Sequence, residues 1–147
     1  KDPPPVRIDL PGDAWIPRDY IPDLRSKIDF YRRISRTAAQ SHVDDLETEI
    51  EDRFGPLPMA FHRLLDLARL RIIASSLSID SISKQPGLLV IGHHDIHCIK
   101  TWRQRCLLNG QEVRIVGNKT VVLPLHEHVD SDEDKLFQTV KKLFQIE

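Results

Sequence analysis

The side chains able to hold a transition metal gather in one place: His93, His94, His97 and Cys98, with Cys106 downstream. Zinc sites want four converging ligands. A helix beginning near Asp95 turns His97 and Cys98 about 100° apart, which leaves no four-ligand set. The spacing favours a polar strand-to-helix turn in which Cys98 and Cys106 are small packing residues. His94-Asp95 echoes the doublet of metal phosphohydrolases, but that chemistry needs further ligands on an all-helical frame, and here the doublet follows a predicted strand. Gly117 to Thr120, "GNKT", has the ending of a phosphate loop without its body. The preceding glycine is Gly110, Asn118 separates Gly117 from Lys119, and a strand follows where a helix is required. Neither a Gly-x-Ser-x-Gly elbow nor a His-Glu-x-x-His pair occurs. No catalytic, cofactor-binding or metal-binding residue is assigned, and this domain is expected to be non-catalytic.

A second cluster is acidic. In a helix predicted from Ser41 to Phe54, Val43, Leu46, Ile50 and Phe54 make an apolar stripe while Asp45, Glu49 and Asp52 point roughly opposite. Glu49 and Asp52 are three apart, so their carboxylates are neighbours on a ridge. Acids in the last turn of a helix oppose its dipole by about 0.3–1 kcal/mol each. Glu49, Glu51 and Asp52 all sit there with only Arg53 in compensation, directly before the hard stop Gly55-Pro56. A local rule broken without visible benefit marks a candidate site. The bland reading is a solubilising surface; the sharper one is a partner whose arginines form bidentate bonds to the ridge. Glu49, Asp52, Asp45 and Arg53 are therefore the candidate partner-binding residues. The first predicted helix is basic, with Arg25, Lys27, Arg32, Arg33 and Arg36 against Asp23 and Asp29. It supports an alternative function as a nucleic-acid-binding module, although no aromatic stacking platform accompanies it.

The elements that must position these residues follow from periodicity. The chain has 147 residues, 40% hydrophobic and 29% charged, with a net charge of −1. That composition predicts one globular domain over residues 6–147, with "KDPPP", residues 1–5, as the remnant of a stiff linker. It provides no global field for nucleic acid or an anionic membrane. Two cysteines eight apart on one predicted helix do not reach each other, and no apolar run approaches a membrane span. A reducing, cytoplasmic location is expected.

Val6 to Leu10 alternates at period two and predicts a strand. Three helices follow. The first carries Leu24, Ile28, Tyr31 and Ile34 at helical spacing; the second is capped by Ser41; the third opens at Pro58 and is apolar on more than one face. Then "IDSISK" and "LLVIG" flank Pro86-Gly87, a type II turn signal, and "EVRIV" and "TVVLPL" flank Gly117-Asn118, a primed-turn signal. A helix with Ile96, Ile99, Trp102 and Cys106 follows the first hairpin. Another, with Asp130 to Asp134 as its N-terminal acids, follows the second. The expected fold is α+β: an N-terminal strand and three-helix cluster, then two hairpin-plus-helix units forming an antiparallel sheet with helices on one face.

"AWIPRDYIP", "IDFYRRI", "EIEDRFGPLP" and "LLDLARLRIIA" closely resemble the C-terminal domain of the bacterial transcription-repair coupling factor (Mfd) family. The likeness is strongest from about Val6 to about Ile73 and continues as element order to the end. It implies a regulatory module of an ATP-driven DNA translocase that displaces stalled RNA polymerase and recruits the excision-repair protein UvrA. The resemblance further implies that this module packs on a UvrB-like N-terminal domain of the same polypeptide and hides the UvrA-binding surface. The family's acids at that contact fall on Glu49 and Asp52. ATP and magnesium would belong to the upstream motor, as would DNA; no membrane is implied. Ile50-Glu51 stands between the two acids where the family more often has two apolar residues.

Overall fold

A computed structural model describes residues 5–146. The proposed linker remnant lies, but for Pro5, outside the described residues. The described chain divides into two compact units, residues 13–72 and residues 5–12 with 73–146.

The first unit is helical. Helix α1 (Leu24–Ser35) follows Pro22 by one residue, with Asp23 as its N-cap accepting from the Ser26 amide at 3.1 Å and the Ser26 hydroxyl at 2.6 Å. Helix α2 (Gln40–Phe54) runs through the predicted stripe, and Val43, Leu46 and Ile50 are buried. Ser41 is not its cap. The cap lies two residues earlier, at Ala39, with no side-chain bond. Gln40 explains the shift: its Nε2 donates to the Arg69 carbonyl at 3.1 Å, fixing the first turn from outside. Helix α3 (Met59–Ser76) opens after Pro58, whose carbonyl accepts from the His62 amide at 2.9 Å; its residues from Ile73 group with the second unit.

The core of this unit gathers Ile16, Ile21, Phe30, Ile34, Val43 and Leu46, closed by Ile50, Phe61, Leu65 and Ala68. One expectation is corrected here. Leu24 and Ile28 do not face inward; they are 67% and 48% exposed, and α1 buries Phe30 and Ile34 instead. The helix is apolar on two faces, and the face with Phe30 and Ile34 enters the core, where Phe30 meets Phe54 edge-on at 5.9 Å. Tyr31 stands at the boundary and spends its hydroxyl on the Ile16 amide at 2.8 Å.

The second unit is built on a five-stranded sheet in the order β1-β2-β3-β5-β4. Its strands are β1 (Arg7–Asp9), β2 (Ile79–Gln85), β3 (Leu88–His93), β4 (Arg114–Val116) and β5 (Thr120–Pro124). The four hairpin strands pair antiparallel, as expected. The N-terminal strand joins them as a fifth, parallel to β2 in the register Ile8↔Ile82. Gln85 pairs with Leu88 across Pro86-Gly87, and Gly87 takes φ +77°, the left-handed backbone a type II turn needs at its third residue. The second hairpin departs from expectation. Val116 pairs with Thr120, so the loop is Gly117-Asn118-Lys119, three residues and not a two-residue primed turn, and only Gly117 has positive φ.

Helix α4 (Ile96–Leu108) is capped by Asp95 and buries Ile99, Trp102 and Cys106. A short helix α5 (Glu127–Asp130), not foreseen, precedes α6 (Glu133–Leu143). Asp132, Glu133 and Asp134 serve the start of α6, where Asp132 accepts from the Asp134 and Lys135 amides. Asp130 does not. It is taken by Lys84 at 2.7 Å and by the Gly87 amide at 2.8 Å, which ties α5 to the β2–β3 turn.

Candidate protein-interaction site

The backbone stop after α2 is held tightly. Gly55 donates to the Glu51 carbonyl at 2.9 Å and has φ +91°, ψ −168°, a combination open to glycine alone. Its carbonyl accepts from the Tyr20 hydroxyl at 2.6 Å, and the Tyr20 ring packs on Phe54 and Phe61 at 5.8 and 5.7 Å. Burial, and then the neighbouring Glu51 carboxylate, push the Tyr20 pKa up, so the hydroxyl remains a donor at neutral pH. The last turn of α2 is thus fixed in place, and with it the acids it carries.

Those acids fall into three groups. Asp44 and Glu47 turn to Arg69 of α3, which bonds them at 3.0 and 2.9 Å and also reaches the buried Asp66 at 3.0 Å. Glu49 turns to α1. Arg33 donates Nη1 to Oε2 at 2.7 Å and Nη2 to Oε1 at 2.6 Å, a bidentate fork that holds the Glu49 carboxyl below the usual carboxylate range. Asp45, Glu51 and Asp52 stay exposed, and among the described residues none of the three forms an ion pair of the kind Glu49 makes. Arg53 is 4.0 Å from Glu49 and lies over the Phe30 and Phe54 rings at 5.4 and 5.0 Å. Phe30 also carries Arg33 on its ring at 5.3 Å.

Of the four residues singled out from sequence, Glu49 and Arg53 therefore meet, while Asp45 and Asp52 stand outward. The ridge is not a bare anionic pair, because Glu49 is already matched by a cation of the same chain. Arg33 is the participant that sequence reasoning missed. It appeared only as one of several scattered arginines, 16 residues from its partner, and helical spacing cannot reveal a bond between two helices. Beside the pair, Arg33, Arg36, Thr37, His42, Asp45 and Glu49 line a depression of about 360 Å³. Both signs of charge reach it.

The histidine cluster holds no ligand set: among the described residues no three His, Cys, Asp or Glu side chains are placed to bind a metal ion. His94 Nδ1 contacts Asp80 at 2.5 Å, His93 is 1% exposed, and both cysteines are free. Burial raises the Cys106 thiol to about 11, which makes it a poor nucleophile. No helix among the described residues is long and apolar enough to cross a membrane.

Comparison with known proteins places this arrangement. The chain is 37% identical over 83 residues to the transcription-repair-coupling factor of Mycobacterium tuberculosis (strain CDC 1551 / Oshkosh), covering 56% of this chain and 7% of that protein. It is 38% identical over 74 residues to the transcription-repair-coupling factor of Escherichia coli (strain K12), covering 50% of this chain and 6% of that one. The chain thus spans only a small part of these relatives' length. Its fold matches a crystal structure of the C-terminal domain of transcription-repair coupling factor with a TM-score of 0.81 at 17% identity, over 99% of this chain and 96% of the other. The family model for the TRCF domain matches residues 10–101, a span that includes α1, α2 and the Gly55 stop, and the chain belongs to that family.

Proposed function

We propose that this chain is a non-catalytic, autoinhibitory interaction domain of a transcription-repair coupling factor. It packs on the UvrB-like N-terminal domain of its own polypeptide and masks the surface that binds UvrA. The parent is an ATP-dependent translocase that moves on DNA and displaces stalled RNA polymerase; ATP and magnesium are bound by its motor, not here. The observation that carries this reading is the Arg33–Glu49 fork beside outward Asp45 and Asp52. An incoming arginine finds free carboxylates at Asp45 and Asp52 and competes with Arg33 for Glu49. Closing then exchanges one ion pair for another, so its net gain stays small and the contact remains reversible.

A small gain is enough in a tethered system. A module on a flexible linker meets its target at an effective concentration of about millimolar. Coupling of about 1–3 kcal/mol then shifts access to UvrA several-fold to a hundredfold. The test is charge reversal in the full-length parent: E49K/D52K is expected to raise UvrA capture several-fold in the absence of polymerase. Unchanged capture by a folded variant sinks the reading.

The second reading is nucleic-acid binding by α1. Arg25, Arg32 and Arg53, with Leu24, Ile28, Ser26 and one acid, Asp29, line a depression of about 760 Å³. Salt-dependent retention of the isolated domain on DNA would favour it.

A further inference from the structure

The second unit contains a cleft that the interaction site does not use. Its volume is about 710 Å³, within the range of small-molecule sites. Trp102 and Phe144 stack at 5.1 Å with planes 12° apart and are both buried, and the half-buried Ile73, Leu77, Leu125 and Leu143 supply the cleft's apolar lining. The Trp102 indole N–H donates to the Leu143 carbonyl at 3.1 Å, so it senses that lining from beneath.

Among the described residues the charged side chains that line the cleft, Arg105 and Lys142, are cationic and no aspartate or glutamate joins them; His126, His128, Asn109 and Gln111 add polar groups. Among the described residues the Arg105 guanidinium has one hydrogen bond, a 3.5 Å contact with the Gln145 side chain, which is neutral. Gln145 itself sits at φ +57°, where α6 ends with the Ile146 amide on the Lys141 carbonyl at 2.8 Å. Glycine is the ordinary residue at that left-handed position. A glutamine there gives up backbone ease and places an amide beside the Arg105 guanidinium. The buried Cys106 thiol, raised to about 11, offers no activated nucleophile, which makes this a place for binding and not for covalent chemistry.

We propose that this cleft binds a small amphipathic anion, a carboxylate or phosphate monoester on an aromatic or branched apolar body. The body lies on Leu77, Leu125 and Leu143, above the buried Trp102, and the anion is held at the rim by Arg105 and Lys142. The guanidinium fork suits either headgroup. This site is independent of the autoinhibitory contact and stands or falls apart from it.

The test uses the whole 147-residue chain, labelled with ¹⁵N and titrated with 2-naphthoate, 2-naphthyl phosphate and the uncharged 2-naphthamide. The readout is the Trp102 indole N–H resonance, assigned with W15F. Saturable shifts are expected, with the tighter anion bound at least about tenfold better than the amide, the ratio a charge-assisted bond supplies. Whichever anion binds more tightly identifies the headgroup. R105A/K142A changes two exposed side chains and is expected to abolish that preference while leaving naphthamide binding intact; T139W fills the cleft and removes both. The proposal is overturned if no probe moves the resonance at millimolar concentration, if naphthamide binds as well as the anions, or if R105A/K142A keeps the preference.

Discussion

Arg33 and Glu49, on neighbouring helices α1 and α2, meet fork to fork at 2.7 and 2.6 Å, with each side chain 40% exposed. That exposure decides what the pair can do. A half-solvated ion pair contributes at most about 1 kcal/mol, so its role in holding the two helices together is minor beside the Phe30, Ile34, Leu46 and Ile50 core. It is strong enough to orient a carboxylate and weak enough to be replaced.

Arg33→Met separates these roles. In the isolated domain it is expected to lower unfolding free energy by less than about 1 kcal/mol, measured by urea denaturation. In the full-length parent it frees Glu49 for the N-terminal partner, so the closed form strengthens and UvrA capture falls, opposite to the E49K/D52K result. If R33M and E49K/D52K both raise capture, Glu49 is not an exchanged ligand.

Arg69 predicts a larger loss. Its guanidinium is 11% exposed and serves three carboxylates, among them Asp66 at 2% exposure, which also contacts His62 at 3.1 Å. Arg69→Ala takes one partner from the buried Asp66 and the shared partner from Asp44 and Glu47, a change that costs about 3 kcal/mol. The denaturant midpoint should fall accordingly. A midpoint shift below about 1 kcal/mol would show that solvent reaches Asp66 freely.

The contrast between these two arginines shows where the sequence was legible. The Gly55 stop, the stripe of α2 and both hairpins follow from local chemistry: a φ only glycine adopts, a helical period, a Pro-Gly turn. Arg33 and Arg69 find their acids across interhelical gaps of 16 and more residues, and no local period encodes such a meeting. The inverted face of α1 has the same cause. Leu24, Ile28 and Tyr31 form as regular a stripe as Phe30 and Ile34, and only packing against Phe54 selects between them. Asp130 counted as a helix acid for the same reason, since its partners Lys84 and Gly87 lie more than forty residues away. The cleft over Trp102 was invisible because its lining comes from four separate segments.

His93 makes stability depend on pH. It is 1% exposed, and neither ring nitrogen has a hydrogen-bond partner among the described residues. Burial holds its pKa below the ordinary 6.5, although Asp80 pulls the other way. The unfolded chain therefore binds the proton more readily than the folded one. Stability is full above about pH 6.5 and is lost as pH falls through that value toward the folded pKa. His93→Leu should flatten this slope between about pH 6.5 and 5 in urea titrations, and it should not destabilise at neutral pH, since it removes two unpaired buried polar atoms. A slope unchanged in H93L would assign the dependence to other groups.

The pairing of β2 with β3 supplies a test of fit. Ser81 and Gly92 are register partners, and a Cβ built on Gly92 would lie 2.6 Å from the Ser81 hydroxyl, nearer than any side chain tolerates. The Ser81 Cβ is 3.9 Å away, an ordinary contact. Gly92→Ala thus forces the serine out of its rotamer or opens the ladder beside the Ile79/Ser81 irregularity, and overpacking of this kind costs about 1–3 kcal/mol. Ser81→Ala alone should be nearly neutral, and in the double variant the clash is gone because only the distant Cβ remains. A thermodynamic cycle on the four proteins should therefore return a coupling of about 1 kcal/mol or more, with S81A rescuing G92A. Additive losses would mean that the strand, not the serine, resists the methyl group, and that glycine is needed at this position for its backbone alone.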